Sequence, residues 1–166
     1  VNQIVNDTTA LIATCFSDKV QISMVELLLN AGANPNITRT DNCSALIVAS
    51  QYGYSEIVKL MLDFGADPNI KVNESGVTAL MLASLENYTD VVKLLIENGA
   101  NKELTDANGK KAYQYAEENE NYEIADLLNP TRKKTVKEIK MGYGSMSSSD
   151  WANAMIFTKS MTEEKY

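Results

Sequence analysis

The sequence predicts an all-α solenoid of stacked helix pairs, and three observations predict it. The first is a period: four similar stretches begin at Thr9, Ser44, Thr78 and Lys111, which lie 35, 34 and 33 residues apart. A recurrence in that range marks a repeat architecture in which each unit buries its apolar face only against its neighbours. The second is a set of small residues at fixed places. Ala45 and Ala79 follow the start of their units and Ala49 and Ala83 come one turn later, with Leu46 and Leu80 between. The third is the punctuation: Gly32, Gly65 and Gly99 each close an apolar run, and Pro35 and Pro68 follow three residues after the first two. Glycine turns left-handed at a helix end without a Cβ penalty, and proline keeps the helix from resuming.

Taken in order, residues 1–8 read either as the end of a further repeat or as a plain lead-in. Thr9 is placed to cap a short helix carrying Ala10, Leu11, Ala13 and Thr14, with Cys15 and Phe16 behind. A second helix is expected from about Ser23 to Asn30, with Met24, Val25, Leu27, Leu28 and Leu29 apolar. The join from Ser17 to Ile22 is two residues longer than its counterpart in the next unit, so a longer first helix or a bulged loop must absorb the excess. Ser44 and Thr78 are hydroxyl caps for the next two first helices, and Ser55 and Thr89 are expected to cap the second helices. Ile57, Val58, Leu60, Met61 and Leu62 form one packing face and Val91, Val92, Leu94, Leu95 and Ile96 the next. Both runs are apolar around too much of the circumference for a surface helix. The connecting segments 37–43, 70–77 and 103–110 are polar and end on Asn42, Gly76 and Gly109, the residue types that accept positive φ in a protruding turn. The segment 70–77 is one residue longer than 37–43 and is expected to project or bulge.

These motifs resemble the ankyrin repeat family, whose units run near D-x-x-G-x-T-P-L-H-x-A-x-x-x-G-H-x-x-V-V-x-L-L-L-x-x-G-A-x-x-N. The second copy reads SALIVAS and then GYSEIVKLMLDFGADPN; the third reads TALMLAS and then NYTDVVKLLIENGAN. The likeness covers about residues 9–129, with repeats near 9–43, 44–77, 78–110 and 111–130, and residues 131–166 form a C-terminal extension. The fold implied is an ankyrin repeat solenoid with protruding turns. The departures are consistent. Alanine (Ala10, Ala45, Ala79, Ala112) replaces the family's proline, and Ile12, Ile47, Met81 and Gln114 replace its histidine. The family's histidine tie between turns is therefore absent, and apolar packing is expected to replace it with looser turn geometry. In the fourth copy Lys111 stands at the cap and Glu120 where Gly53 stands in the second. Glu117, Glu118, Glu120, Glu123 and Asp126 make a polar wall suited to a terminal unit.

Charge and composition limit the function. Residues 1–130 hold 18 acidic and 8 basic side chains, a balance of -10, and residues 131–166 hold 4 acidic and 7 basic, a balance of +3. The acidic part repels a phosphate backbone, which makes nucleic acid an unsuitable partner. Two cysteines make no disulfide framework, and a reducing, cytoplasmic setting is the simpler expectation; a secreted effector would reach the same setting inside a host cell. No apolar run reaches the 18 residues of a membrane span. The chain has no histidine, no glycine-rich phosphate loop and no paired thiols, so neither an imidazole-activated nucleophile nor a zinc signature can be written. No enzyme activity, metal or cofactor is expected. Cys15 reads as a buried packing residue and Cys43, on a turn, as the more reactive thiol.

By resemblance, the working surface is the concave face of turns and first helices, and its function is non-catalytic binding of a protein or an extended peptide. Carried onto this chain, the helix positions are Gln51, Tyr52, Leu85, Glu86, Glu118 and Asn119, and the turn positions include Asp41, Glu74, Asn108 and Lys110. Tyr52 and Leu85 are the leading candidates, a rigid aromatic and an apolar residue where the pattern expects exposure; the plainer reading packs both against adjacent repeats. Glu86 and Glu118 would favour a basic peptide. Tyr54 and Tyr88 are expected to order the loops between paired helices. The alternative is a scaffold or targeting segment of a larger protein or effector whose activity lies elsewhere. In the extension, Pro130 is expected to open a basic helix to about Met141 that docks on the fourth repeat or meets an anionic surface. A linker over residues 144–149 and a short helix with Trp151 then serve either as a lid or as an anchor for another domain or subunit.

Overall fold

The structure, a computed structural model, describes residues 1–5, 8–17 and 21–134. The chain divides into two units, Val1–Pro130 and Thr131–Tyr166. The described residues hold eight helices: α1 (Ala10–Cys15), α2 (Ile22–Asn30), α3 (Ala45–Gln51), α4 (Ser55–Asp63), α5 (Ala79–Leu85), α6 (Thr89–Glu97), α7 (Ala112–Glu118) and α8 (Tyr122–Leu128). Consecutive helices pair, and successive pairs stack so that α1, α3, α5 and α7 pack in one row while α2, α4 and α6 pack in a second. This is the all-α repeat fold that the period predicts.

The first helices begin where the hydroxyls stand. Thr9 Oγ1 accepts the Ile12 N–H at 3.3 Å, Ser44 Oγ accepts that of Ile47 at 3.3 Å and Thr78 Oγ1 accepts that of Met81 at 3.4 Å. Lys111 has no acceptor to offer, and Gln114 compensates from inside the helix: its Oε1 accepts the Lys111 N–H at 2.9 Å. The second helices differ from expectation. Tyr54 and Tyr88 occupy the cap positions, and Ser55 and Thr89 are the first helical residues rather than caps. The reason lies in the corner before them, where Gly53 (φ +71°) and Asn87 (φ +63°) turn left-handed and the Tyr54 and Tyr88 N–H groups bond Ala49 and Ala83 carbonyls at 3.0 Å. That clamp starts each helix one residue earlier. At Gly53 a Cβ would lie 2.6 Å from Tyr88 Cε1, so the glycine also makes room for the next unit's ring.

The second helices close with the expected glycines. At Gly32, Gly65 and Gly99 φ is +86°, +82° and +87°. The following alanine N–H reaches back five residues, from Ala33 to Leu28, Ala66 to Met61 and Ala100 to Leu95, at 2.9 Å each. The long join after α1 is absorbed by its loop, since α1 ends at Cys15 and is shorter than α3; residues 18–20 of that loop lie outside the described residues.

Between the rows of helices lies one continuous core. Leu11, Leu46 and Leu80 recur in the first helices and Val25, Val58 and Val92 in the second, all buried. Each Leu→Ala change in such a layer costs about 2–5 kcal/mol. Ile12, Ile47 and Met81, at the family's histidine position, are also buried. The first unit departs from the pattern of the next two: Met24 and Leu27, the counterparts of Ile57 and Leu60, are exposed. Asn129 has φ -140° and ψ 85°, the extended backbone favoured before proline, and residues 130–134 form a turn and irregular chain instead of opening a helix. The rest of the expected basic helix, the linker and the Trp151 helix lie outside the described residues.

Candidate interaction face

The face of interest is made by three protruding turns and by the exposed ends of the first helices beside them. Each turn is closed by its own backbone. Arg39 N–H donates to Cys43 O at 3.0 Å and Asp106 N–H to Lys110 O at 2.9 Å, whereas the longer middle turn closes from Val72 N–H to Val77 O at 2.9 Å. The extra residue of the middle turn is absorbed by Glu74, which stands at φ +58°. A non-glycine residue held there stores about 1 kcal/mol or more.

The turns are tied to one another by hydrogen bonds, not by apolar packing alone. Asn73 N–H donates to Asp41 O and Ala107 N–H to Ser75 O, both at 2.8 Å. Asn73 Nδ2 reaches Thr40 O at 2.9 Å and Asn42 Nδ2 reaches Lys71 O at 2.7 Å. The looser geometry expected without histidine is therefore corrected: asparagines and turn amides supply the ties. A second ladder runs past the ends of the second helices. Asn36 Nδ2 donates to Gly65 O at 2.9 Å while its Oδ1 accepts the Asp67 N–H at 2.7 Å. Asn69 repeats this on Gly99 O at 3.1 Å and the Asn101 N–H at 2.7 Å.

Of the sequence-predicted positions, Gln51, Glu86, Glu118, Asn119, Glu74 and Asn108 are exposed, and Asp41, Lys110 and Leu85 are half-buried. Leu85 thus falls short of the exposure expected for it. Tyr52, Glu86 and Asn119 share one place, the C-cap of α3, α5 and α7. Tyr52 is 48% exposed, and its ring stacks on that of Tyr54 with centroids 5.7 Å apart and 23° between planes. Tyr54 and Tyr88 are half-buried against the core, as loop-ordering residues should be.

Two of the predicted residues meet each other. Lys110 Nζ lies 2.5 Å from Glu118 Oε2 and 4.3 Å from the centroid of the Tyr115 ring. Tyr115 in turn donates its hydroxyl to Asp106 Oδ2 at 2.8 Å, while Asp106 Oδ1 accepts the Lys110 and Asn108 N–H groups at 2.8 Å. The Lys110 amide, and then the tyrosine hydroxyl and Asn108, hold the Asp106 carboxyl below the usual carboxylate range. Burial first, and the bonded Asp106 second, push the Tyr115 phenol up to about 12. Sequence reasoning missed Tyr115 and Asp106, nine residues apart, and also Phe16, which is exposed at the end of α1 with the Arg39 guanidinium 5.7 Å from its ring centroid. The signal for Phe16 was its register, since it aligns with Gln51.

Cys15 is buried, as expected of a packing residue, and Cys43 is half-buried. Burial pushes Cys15 up to about 12, and burial together with Asp41 raises Cys43, with Arg39 opposing only in part. Cys43 is therefore not an activated nucleophile. Among the described residues no group of three metal-ligating side chains comes together, and no helix is long and apolar enough to cross a membrane. A shallow groove between α4 and α6 is lined by Glu56, Lys59, Asp90, Lys93 and Glu97, whose charges alternate.

A family model described as ankyrin repeats (3 copies) matches residues 1–72 and 71–138. The chain belongs to the ankyrin repeat family. Ankyrin repeats are generally non-catalytic modules for protein interaction. This ankyrin chain is also 46% identical, over 55 residues, to ankyrin repeat protein FPV222 of Fowlpox virus (strain NVSL). The matched stretch is 33% of this chain and 7% of that relative.

Proposed function

We propose that this ankyrin array binds a protein or an extended peptide of basic character on the face of its turns and first-helix ends. Tyr52 and Leu85 act as its anchors, and Asp41, Glu74, Glu86 and Glu118 as its carboxylates. Gln51, Asn108, Lys110 and Asn119 complete the contact row. The observation that carries this reading is Tyr52. The residue is 48% exposed yet its ring is already oriented by the stack on Tyr54, so little side-chain freedom remains to be lost on binding. Turns tied through Asn73, Asn42 and Ala107 present their polar groups in a fixed row beside it. A cytoplasmic location, inside a host cell in the case of an effector, would suit a module without catalytic groups. The relative's far greater length is compatible with a binding segment inside a larger protein.

The test is peptide display against the full chain, followed by titration calorimetry with a Tyr52→Ala/Leu85→Ser variant verified as folded by circular dichroism. Enrichment of Lys/Arg-rich ligands, with a loss of about thirtyfold in the variant, is the expected result for a pair of central anchors. Ligands that bind the folded variant as tightly as the parent would remove this face from consideration.

A further inference from the structure

The backward-facing side of the first helix pair is built like an interior surface. Met24 is 45% exposed, whereas Ile57, Val91 and Ile124, at the same place in the following units, are 3%, 1% and 0% exposed. Leu27 is 62% exposed where Leu60 and Leu94 are half-buried. On α1, Ala10 is exposed and Thr14 half-buried, while their counterparts Ala45, Ala79 and Ala112, and Ala49, Ala83 and Ala116, are all buried. In the later units these positions are covered because α3 packs on α1, α4 on α2, α5 on α3 and α6 on α4. The first pair keeps the residue types of that interface, small on the first helix and apolar on the second. The fourth unit, by contrast, carries Glu117, Glu118, Glu120, Glu123 and Asp126, the composition of an end that meets water.

A separate observation gives the face its continuity with the interface between units. Asn2 makes the same pair of bonds as Asn36 and Asn69: its Nδ2 donates to Gly32 O at 3.0 Å and its Oδ1 accepts the Asn34 N–H at 2.7 Å. Asn36 and Asn69 each stand just past the second helix of one unit and tie it to the next. Beyond Asn2, Val5 and Thr8 exchange backbone bonds, as Thr38 with Ser44 and Thr105 with Lys111 also form antiparallel bridges at the base of their turns.

We infer that the exposed face of α1 and α2, with Ala10, Thr14, Met24 and Leu27 at its centre, is the stacking surface for one further ankyrin-type helix pair that leads directly into Asn2. The small residues admit the incoming first helix at close range, and Met24 and Leu27 fill the layer against the incoming second helix. A flexible Met here adapts to a neighbour in the way that Ile57 and Val91 do in fixed form.

The test adds that pair to the full chain. A copy of residues 44–69 is fused ahead of Gln3, so that the copied asparagine takes the place of Asn2. Peroxide oxidation of Met24 is followed by mass spectrometry, with buried Met61 and Met81 as internal standards, and urea unfolding is recorded in parallel. The expected result is at least a tenfold slower oxidation of Met24 than in the unfused chain, with one unfolding transition and a larger m-value. Unchanged oxidation, or a separate transition for the added pair, overturns the inference. So does a concentration-dependent dimer of the unfused chain that Met24→Glu abolishes, which would assign the face to a second copy. Slow oxidation in the unfused chain that deletion of residues 135–166 relieves would assign it to the chain's own tail and would overturn it equally.

Discussion

Asn69→Ala removes one rung of the asparagine ladder and leaves the core untouched. The side chain makes two bonds across the boundary between the second and third units, to Gly99 O at 3.1 Å and from the Asn101 N–H at 2.7 Å. The bond from the Asn69 N–H to Asp67 Oδ1 at 2.8 Å uses backbone and survives the change. A net contribution of about 0.5–1 kcal/mol per solvent-accessible bond gives about 1–2 kcal/mol in total. Because stability in a stacked array is a sum of unit and boundary terms, the loss falls on the coupling between neighbours. Urea unfolding by circular dichroism should therefore show a lower midpoint. Hydrogen exchange should show the third and fourth units opening more readily than the second. Asn69→Asp keeps the acceptor for Asn101 and loses the donor to Gly99, so it should recover part of the deficit. A cost below about 0.3 kcal/mol for the alanine variant, or protection lost evenly across all four units, would refute the claim that these bonds couple the repeats.

Three further outcomes are expected. Gly53→Ala meets both a positive φ and the Tyr88 ring at 2.6 Å, and should cost about 2 kcal/mol or more by thermal unfolding; in a Tyr88→Ala background about 1 kcal/mol of backbone strain should remain. Glu74→Gly relieves the strained tip of the middle turn at φ +58° and should raise stability by about 0.5–1 kcal/mol, read from the urea midpoint. Tyr115 should titrate near 12 by ultraviolet difference spectroscopy, and Asp106→Asn should lower that midpoint without returning it to the ordinary tyrosine value, since burial is the larger cause. The raised phenol stabilises the fold fully below its unfolded pKa of about 10, with the contribution lost as pH rises through 12; the depressed Asp106 contributes above about pH 4, and its contribution is lost as pH falls through its folded value.

The helix pairs were legible because period, caps and glycines all make local demands on the backbone. Thr9, Ser44 and Thr78 bond the third amide onward wherever the chain turns helical, and Gly32, Gly65 and Gly99 close the second helices for the same local reason. Ser55 and Thr89 misled because a hydroxyl before an apolar run looks like a cap, while the decisive clamp, Tyr54 to Ala49 and Tyr88 to Ala83, joins a loop to the helix before it. The asparagine ladder was hidden for a related reason. Asn36 and Asn69 sit in polar turns, where an asparagine facing water reads the same as one bridging two units about thirty residues apart. Absence of the family's histidine suggested loosened turns only because the substitutes, Asn42 and Asn73, act across units. The candidate face divides in the same way: exposure at Tyr52 followed from its place at a helix end, whereas the Lys110–Glu118 pair and the Asp106–Tyr115 bond depend on how a turn folds over α7.

The lack of histidine also determines how this surface reads acidity. Histidine is the side chain whose ordinary titration falls within the cellular range, and this chain has none. Among the described residues, every shift resolved moves away from neutrality: Cys15, Cys43, Tyr115 and Lys111 upward, Asp106 and Glu103 downward. None of these groups is thereby brought into the interval between a neutral and a mildly acidic medium, where a histidine would change its charge.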